Sequence, residues 1–247
     1  MTDTATCPIC DGTGWKIIER AGLSGAEPCA CAAVTRARAV KEAAGIPPNY
    51  DRATLDNFEM PGQENPTARA ALGAALLQVK SFVREFPAAD HPGLLLIGDT
   101  GTGKTHLAVA AFKALLERGH EGIFYDYQNL LDRIRSGWDQ NAGAADREAY
   151  RSALDTEVLL LDDLGSHRTT DWIEDTVTAI VTHRCNHRKP LIATTNLPDH
   201  DLVGKDKDYA RKTLGEIIGL RARSRLHEMC RVVKMPTVED YRLKRAR

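Results

Sequence analysis

The sequence predicts an α/β fold, a largely parallel sheet covered by helices on both faces and preceded by a small cysteine-bearing segment. Three observations carry the prediction. From residue 66 onward, short apolar runs alternate with longer stretches whose apolar residues recur at helical spacing, the pattern of a sheet buried on both sides. One run leads through a glycine-rich segment, GDTGTGKT at 98–105, into such a stretch. Another run, VLLLDD at 158–163, ends in two acids, and the carboxyl ends of parallel strands are where such sheets place ligands.

The elements follow in order. Residues 1–35 are rich in Cys, Gly and Ala, and RARAVKEAAG at 36–45 reads as a short helix closed by Gly45. IPPNYDRATLDNFEMPGQENP at 46–66 is loop-like, with tandem prolines, and places a boundary between a segment 1–45 and a larger domain 46–247. Pro66 suits a first helical position, and the helix it starts is stopped by Pro87. GLLLIG is a buried strand, KTHLAVAAFKALLERG a helix ended by Gly119, GIFYDY a strand and QNLLDRIRS a helix. EVLLLDD is a second buried strand, DWIEDTVTAIVTHRCNHR a helix and PLIATTN a strand. GEIIGLRARSRLHEM reads as one helix and CRVVKM as a last strand.

A composition of 43% hydrophobic and 27% charged residues fits a globular chain. The longest apolar runs, such as LLLI at 94–97, are too short to span a bilayer. MTDTATCPIC has neither a basic nor an apolar leader region, so the expectation is a cytoplasmic protein with no membrane partner and reduced cysteines. The net charge of −1 points to no polyanionic partner, but residues 205–247 hold 13 Lys/Arg against 6 Asp/Glu. The tail YRLKRAR can hold phosphates or simply be solvated.

GDTGTGKT fits the phosphate-binding pattern G-x-x-x-x-G-K-[ST], between a strand and a helix. Gly98, Gly101 and Gly103 let the backbone curl so that N–H groups face phosphate oxygens, and the helix N-terminus adds partial positive charge. Thr100, Thr102 and His106 complete the expected ATP-binding segment. Lys104 is expected on the β- and γ-phosphates and Thr105 on Mg²⁺. Asp162 is the natural partner of that Mg²⁺, and Asp163 the group to orient and polarise the attacking water. Asn196, at the end of the next strand, is placed to bond that water or the γ-phosphate; its other reading is a turn former. In LRARSRL at 220–226, Arg221 and Arg225 share a helix face. With no acid at i,i+4 spacing, salt bridges do not account for these arginines. Arg225, supported by Arg221, is the candidate to stabilise the transferring phosphoryl group from a neighbouring subunit; the alternative is a basic face for DNA or solvent.

In this order, GDTGTGKTHLA, LLLDDLG, TTN and RSRL resemble the AAA+ ATPases. More narrowly, they resemble the DnaC/DnaI-type bacterial replicative helicase loaders and the related IstB-type transposition ATPases, over roughly residues 46–247. The resemblance implies a core that binds ATP and Mg²⁺, self-associates and touches single-stranded DNA, with a front domain that grips the replicative DNA helicase during DNA replication. It further implies that Tyr50, Asn57 and Phe58 lie near the adenine or the domain joint. It places YQNLLDRIRSG at 127–137 near DNA, with Arg133 and Arg135 on phosphates and Tyr127 on a base; the same stretch also reads as an amphipathic helix packed through Leu130, Leu131 and Ile134. Three departures stand out. Asp163 is shorter than the usual Glu, position 99 is Asp where Pro is common, and only 22 residues follow Arg225. The last implies a core without the helical lid domain.

Cys7, Cys10, Cys29 and Cys31 form C-x2-C…C-x-C, a tetrahedral thiolate set suited to zinc. Asp11, Gly12 and Gly14 supply the turn after the first pair. A segment this small has little apolar material, so a structural Zn²⁺ supplies what a core lacks; an iron–sulfur cluster or redox disulfide is the alternative. CPICDGTGW also resembles the zinc-binding repeats of DnaJ-type chaperones, as a local knuckle. Trp15, Ile17 and Ile18 are either contact residues or the module's miniature core. His183 and His187 flank Cys185 one helical turn apart, a spacing that also suits an exposed basic helix end, and Cys230 is a core cysteine. The expected function is therefore an ATP-hydrolysing helicase loader. The alternatives are a transposition helper ATPase, or a nucleotide-gated adaptor with little turnover.

Overall fold

The computed structural model describes residues 7–20, 23–63, 65–88, 90–137, 144–199, 212–238 and 241. Of the basic stretch 205–247, residues 205–211, 239–240 and 242–247 lie outside the described residues. The chain divides into two compact units, Met1–Ala43 and Ala44–Arg247.

The first unit is a two-stranded antiparallel hairpin, β1 (Trp15–Arg20) and β2 (Leu23–Pro28), followed by helix α1 (Ala30–Ala43). Its only buried apolar residues among those described are Cys10 and Cys29. The pleat puts Trp15 and Ile17 on one face of β1, and both are exposed, at 56% and 81%. At that exposure these two form no miniature core, while Ile18, on the opposite face of β1, is half-buried.

In the second unit, a 3₁₀ turn (Pro48–Tyr50) leads through a loop to α2 (Pro66–Glu85). Asn65 caps α2, its side chain accepting from the Ala68 N–H at 3.0 Å, and Pro66 opens it. There follow β3 (Gly93–Ile97), α3 (Lys104–Glu117), β4 (Gly122–Asp126), α4 (Tyr127–Gly137) and α5 (Ala144–Asp155). Then come β5 (Val158–Asp162), α6 (Asp171–Asn186), β6 (Leu191–Thr195), α7 (Leu214–Ile218), α8 (Leu220–Met229) and β7 (Cys230–Lys234).

The five strands β3–β7 form one parallel sheet in the order β4-β5-β6-β3-β7. β3 and β6 are buried at every position, as a sheet covered on both faces requires. Because β6 lies between β3 and β5, the carboxyl ends of all three strands converge on one edge, with α3 rising from the loop after β3. Arg184 of α6 is fully buried and donates to the carbonyls of Ala153, Leu154, Thr156, Glu157 and Pro190. It thereby satisfies the end of α5 and the entries of β5 and β6, and burial pulls the guanidinium pKa down to about 9.

Two expectations on helices are corrected. The stretch 215–229 is two helices, broken at Gly219, whose φ of 84° continues no right-handed helix. α5 has no counterpart in the predicted elements.

Candidate functional site

The loop between β3 and α3 is the turn the glycine pattern demands. Gly101 and Gly103 have φ of 77° and 91°, left-handed values at which a side chain is strained. A Cβ on Gly103 would come within 2.6 Å of the Phe58 ring. Within the loop, the Asp99 carbonyl accepts from Thr102 Oγ1 at 2.9 Å and from Lys104 Nζ at 2.7 Å. The Asp99 carboxylate accepts from Thr237 Oγ1 at 3.1 Å, so it is engaged by the segment after β7. Lys104 thus sits buried beside the loop whose N–H groups it complements.

At the next strand ends the expected residues meet. Thr105 Oγ1 donates to Asp162 Oδ1 at 2.9 Å across the gap between α3 and β5. Thr194 Oγ1 donates to the same oxygen at 2.6 Å, and the Asp163 N–H donates to Thr194 Oγ1 at 2.9 Å. Asn196 Nδ2 donates to Asp163 Oδ1 at 2.5 Å. Burial pushes the Asp162 carboxyl above its ordinary range, the two hydroxyls oppose the shift, and the charges of Asp163 and Asp126 reinforce it. A half-buried acid with unfavourable charge around it, beside a hydroxyl at the start of α3, is a set of hard oxygen donors that fits Mg²⁺.

The segment before the core also reaches this site. Phe58 packs on Gly103 and lies 5.6 Å, ring to ring, from His106, which bonds the Thr54 carbonyl through Nε2 at 3.0 Å. Buried Lys113 of α3 donates to the carbonyls of Asp51 and Ala53, fastening the segment down. Asn57 instead closes its own turn, exchanging bonds with Thr54 and donating to the Arg52 carbonyl.

The arginines of α8 separate as their helical positions require. Arg221 is exposed and Arg225 half-exposed, whereas Arg223 turns inward. The absence of an acid at i,i+4 misleads on two of them. Arg223 makes a bidentate pair with Asp199, Nε at 2.9 Å from Oδ1, and His227 Nε2 lies 2.7 Å from Oδ2. Burial alone would raise the Asp199 carboxyl, but Arg223 and His227 hold it below its ordinary value. Arg225 pairs with Glu228, three residues on, at 2.6 Å.

The reading of 127–137 as a DNA face is corrected in part. Tyr127 is 1% exposed and packs with Leu130, Leu131 and Ile134 in the core, so its ring is not offered to a base. Arg133 lies over the Tyr125 ring and Arg135 over the Trp172 ring. His183 and His187 stack at 4.1 Å and His187 bonds the carbonyl of His183; among the described residues they join no metal-binding group.

Such a group exists in the first unit. The Sγ atoms of Cys7, Cys10, Cys29 and Cys31 all lie within 4.8 Å of one another. The Cys10–Cys31 and Cys7–Cys29 pairs are 3.2 and 3.8 Å apart, far beyond the ~2.05 Å of a disulfide. Asp11, Gly12 and Gly14 take left-handed φ to make the turn, and the Cys29 N–H donates to the Gly14 carbonyl at 2.8 Å. The hydrogen bond from Cys31 pulls the Cys10 thiol down to about 6 and pushes the Cys31 thiol up. Four soft donors converging where a core would otherwise sit fit a thiolate-bound metal.

Sequence reasoning missed Thr194, Asp199 and Lys113. The TTN stretch carried a signal for Thr194, since a hydroxyl two residues before Asn196 on one strand shares its face. Asp199 and Arg223 lie in different elements, and no spacing rule links them.

Residues 38–247 match the family described as IstB-like ATP binding protein. The chain is 24% identical over 154 residues to the replicative helicase loader DnaC of Escherichia coli (strain K12), covering 62% of this chain and 58% of that protein. It is 30% identical over 154 residues to the ATP-binding protein Rv3427c in insertion sequence of Mycobacterium tuberculosis, covering 62% of this chain and 57% of that one. The chain thus spans less than two thirds of these relatives' length. Its fold resembles the crystal structure of the DnaC helicase loader with a TM-score of 0.63 and 30% identity, over 77% of this chain and 100% of that chain.

Proposed function

The chain belongs to the family of IstB-like ATP-binding proteins and has the AAA+ P-loop fold, and from that premise we propose that it is an ATP-hydrolysing loader of a replicative DNA helicase, acting in the cytoplasm on single-stranded DNA. One observation carries the choice of loader. The four-thiol cluster and the exposed face of Trp15 and Ile17 lie outside the matched residues 38–247. Among the described residues of their unit only Cys10 and Cys29 are buried apolar side chains. We assign residues 1–45 to helicase docking and zinc binding, and residues 46–247 to the ATPase.

In this reading the backbone N–H groups of Gly98–Gly103 hold the phosphates, with Thr100, Thr102 and His106 in the same loop, and Lys104 pairs with the β- and γ-oxygens. Thr105 and Asp162 would hold Mg²⁺, which when bound neutralises charge on the phosphates. Asp163 and Asn196 orient a water in line with the γ-phosphorus. The new bond joins water oxygen to phosphorus as the bond to the β–γ bridging oxygen breaks, and Asp163 takes the water proton. Arg225, with Arg221 beside it on α8, acts on the γ-phosphate of a neighbouring copy, which makes self-association part of the mechanism. Cys7, Cys10, Cys29 and Cys31 would hold Zn²⁺ as a structural staple.

The similarity to a protein in an insertion sequence supports a second reading, a transposition helper. Transfer of a replicative helicase onto a closed single-stranded DNA circle separates the two. The loader reading expects transfer that needs ATP and fails with Lys104→Ala. No transfer, with ATP-dependent binding of duplex DNA and a transposase, favours the helper.

A further inference from the structure

We propose that Thr194 is a positioning residue that sets both acids of the nucleotide site through one hydroxyl; this rests on the ATPase reading above. Thr194 is 1% exposed, on the central strand β6 between the P-loop strand and the strand that carries the acids. A hydroxyl has a single hydrogen, and the N–H of Asp163 can only donate. The hydroxyl oxygen therefore accepts from Asp163 N at 2.9 Å, and its hydrogen goes to Asp162 Oδ1 at 2.6 Å. No rotation satisfies both partners in another way.

The consequence for Asp162 is orientation. Both hydroxyls that bond this carboxylate, from Thr105 and Thr194, fall on Oδ1, and none of the described bonds falls on Oδ2. The plane of the carboxylate is thereby set with one oxygen held inward. Thr105 would offer a lone pair of its oxygen to a magnesium ion, whereas the Thr194 oxygen is already taken by the Asp163 N–H, so Thr194 serves only to hold the acids. The consequence for Asp163 is backbone shape. Its φ of 57° is left-handed, an uncommon conformation for a non-glycine residue although Asp takes it more readily than most. Thr194 clamps that turn twice, through its side chain on Asp163 N and through its carbonyl, which accepts from Leu164 N at 2.8 Å. The turn sends the Asp163 carboxylate to Asn196, two residues beyond Thr194 and just past the end of β6.

Thr194→Val keeps shape, strand preference and carbonyl while deleting the hydroxyl; Thr194→Ser restores it. The measurement is the Mg²⁺ concentration giving half-maximal ATP hydrolysis, together with kcat and the affinity for a fluorescent ATP analogue at saturating Mg²⁺. Loss of an outer partner of a metal-site residue typically costs about 10- to 100-fold. We expect that rise in the Mg²⁺ midpoint for valine, a fall in kcat, unchanged analogue affinity and recovery of both by serine. A packing role would lower the melting temperature and leave the midpoint alone. A valine variant with the wild-type midpoint, or a serine variant no better than valine, overturns the proposal. If valine does not fold, Thr194→Ala is read by the same titration against serine. Wild-type protein without Mg²⁺-dependent hydrolysis overturns the ATPase reading itself, and this inference with it.

Discussion

Asn196 Nδ2 lies 2.5 Å from Asp163 Oδ1, joining the carboxyl ends of two adjacent strands at the point where three elements of the site converge. The amide donates and so holds the acid in place. Removing the amide should loosen the acid that orients water without touching the phosphate loop. Asn196→Ala is expected to lower kcat by about 10- to 100-fold, and Asp163→Asn by about 10²- to 10⁴-fold. Both should leave ATP affinity close to wild type, as measured by nucleotide titration beside phosphate release.

Asp162 is held at a cost. Burial, then the charges of Asp163 and Asp126, raise its carboxyl in the folded chain, while the hydroxyls of Thr194 and Thr105 limit the rise. With the folded value above the unfolded one, the proton-linked stability is full below the unfolded value. It is lost as pH rises through the folded value. Asp162→Asn keeps an acceptor for both hydroxyls and removes the charge. It should melt higher than wild type at neutral pH without magnesium, by an amount that shrinks as the pH is lowered, and it should lose Mg²⁺-dependent hydrolysis.

The arginines of α8 make opposite predictions. Arg223 and His227 close on Asp199, which is 1% exposed. Arg223→Ala leaves that acid buried and underpaired, and should cost about 3–5 kcal/mol in denaturant unfolding. Arg225 pairs with exposed Glu228, so Arg225→Ala should leave the denaturant midpoint close to wild type. Its effect should fall on turnover, with nucleotide affinity unchanged. Unchanged turnover would remove Arg225 from the mechanism.

The first unit has only cysteines as buried apolar residues among those described. A strong chelator should therefore release one metal ion per chain and collapse the hairpin, while the melting of the ATPase unit stays in place. Cys29→Ser should do the same without chelator.

Much of the sheet was legible because fully buried strands read as unbroken apolar runs, GLLLI and VLLLD among them, set between glycines and prolines. The P-loop was legible because its glycines have one use. Four features were not. β2, LSGAEP, has no apolar alternation because the thiol cluster organises the unit in place of a core. Among its described side chains α5 buries only Ala149 and Ala153, a faint signal among charges. The pairs Arg223–Asp199 and Lys113–Ala53 span 24 and 60 residues, distances at which only the folded backbone brings partners together. The left-handed turn at Asp163 left only a faint mark, since aspartate tolerates that φ without requiring it.

The most direct test of the account is co-purification with a replicative helicase, with and without ATP. The account predicts that the full chain retains helicase in an ATP-dependent way, and that residues 46–247 alone do not, although they still bind ATP. It also predicts loss of helicase with Trp15→Ala combined with Ile17→Ala. Normal helicase retention by residues 46–247, or by that double variant, would contradict it.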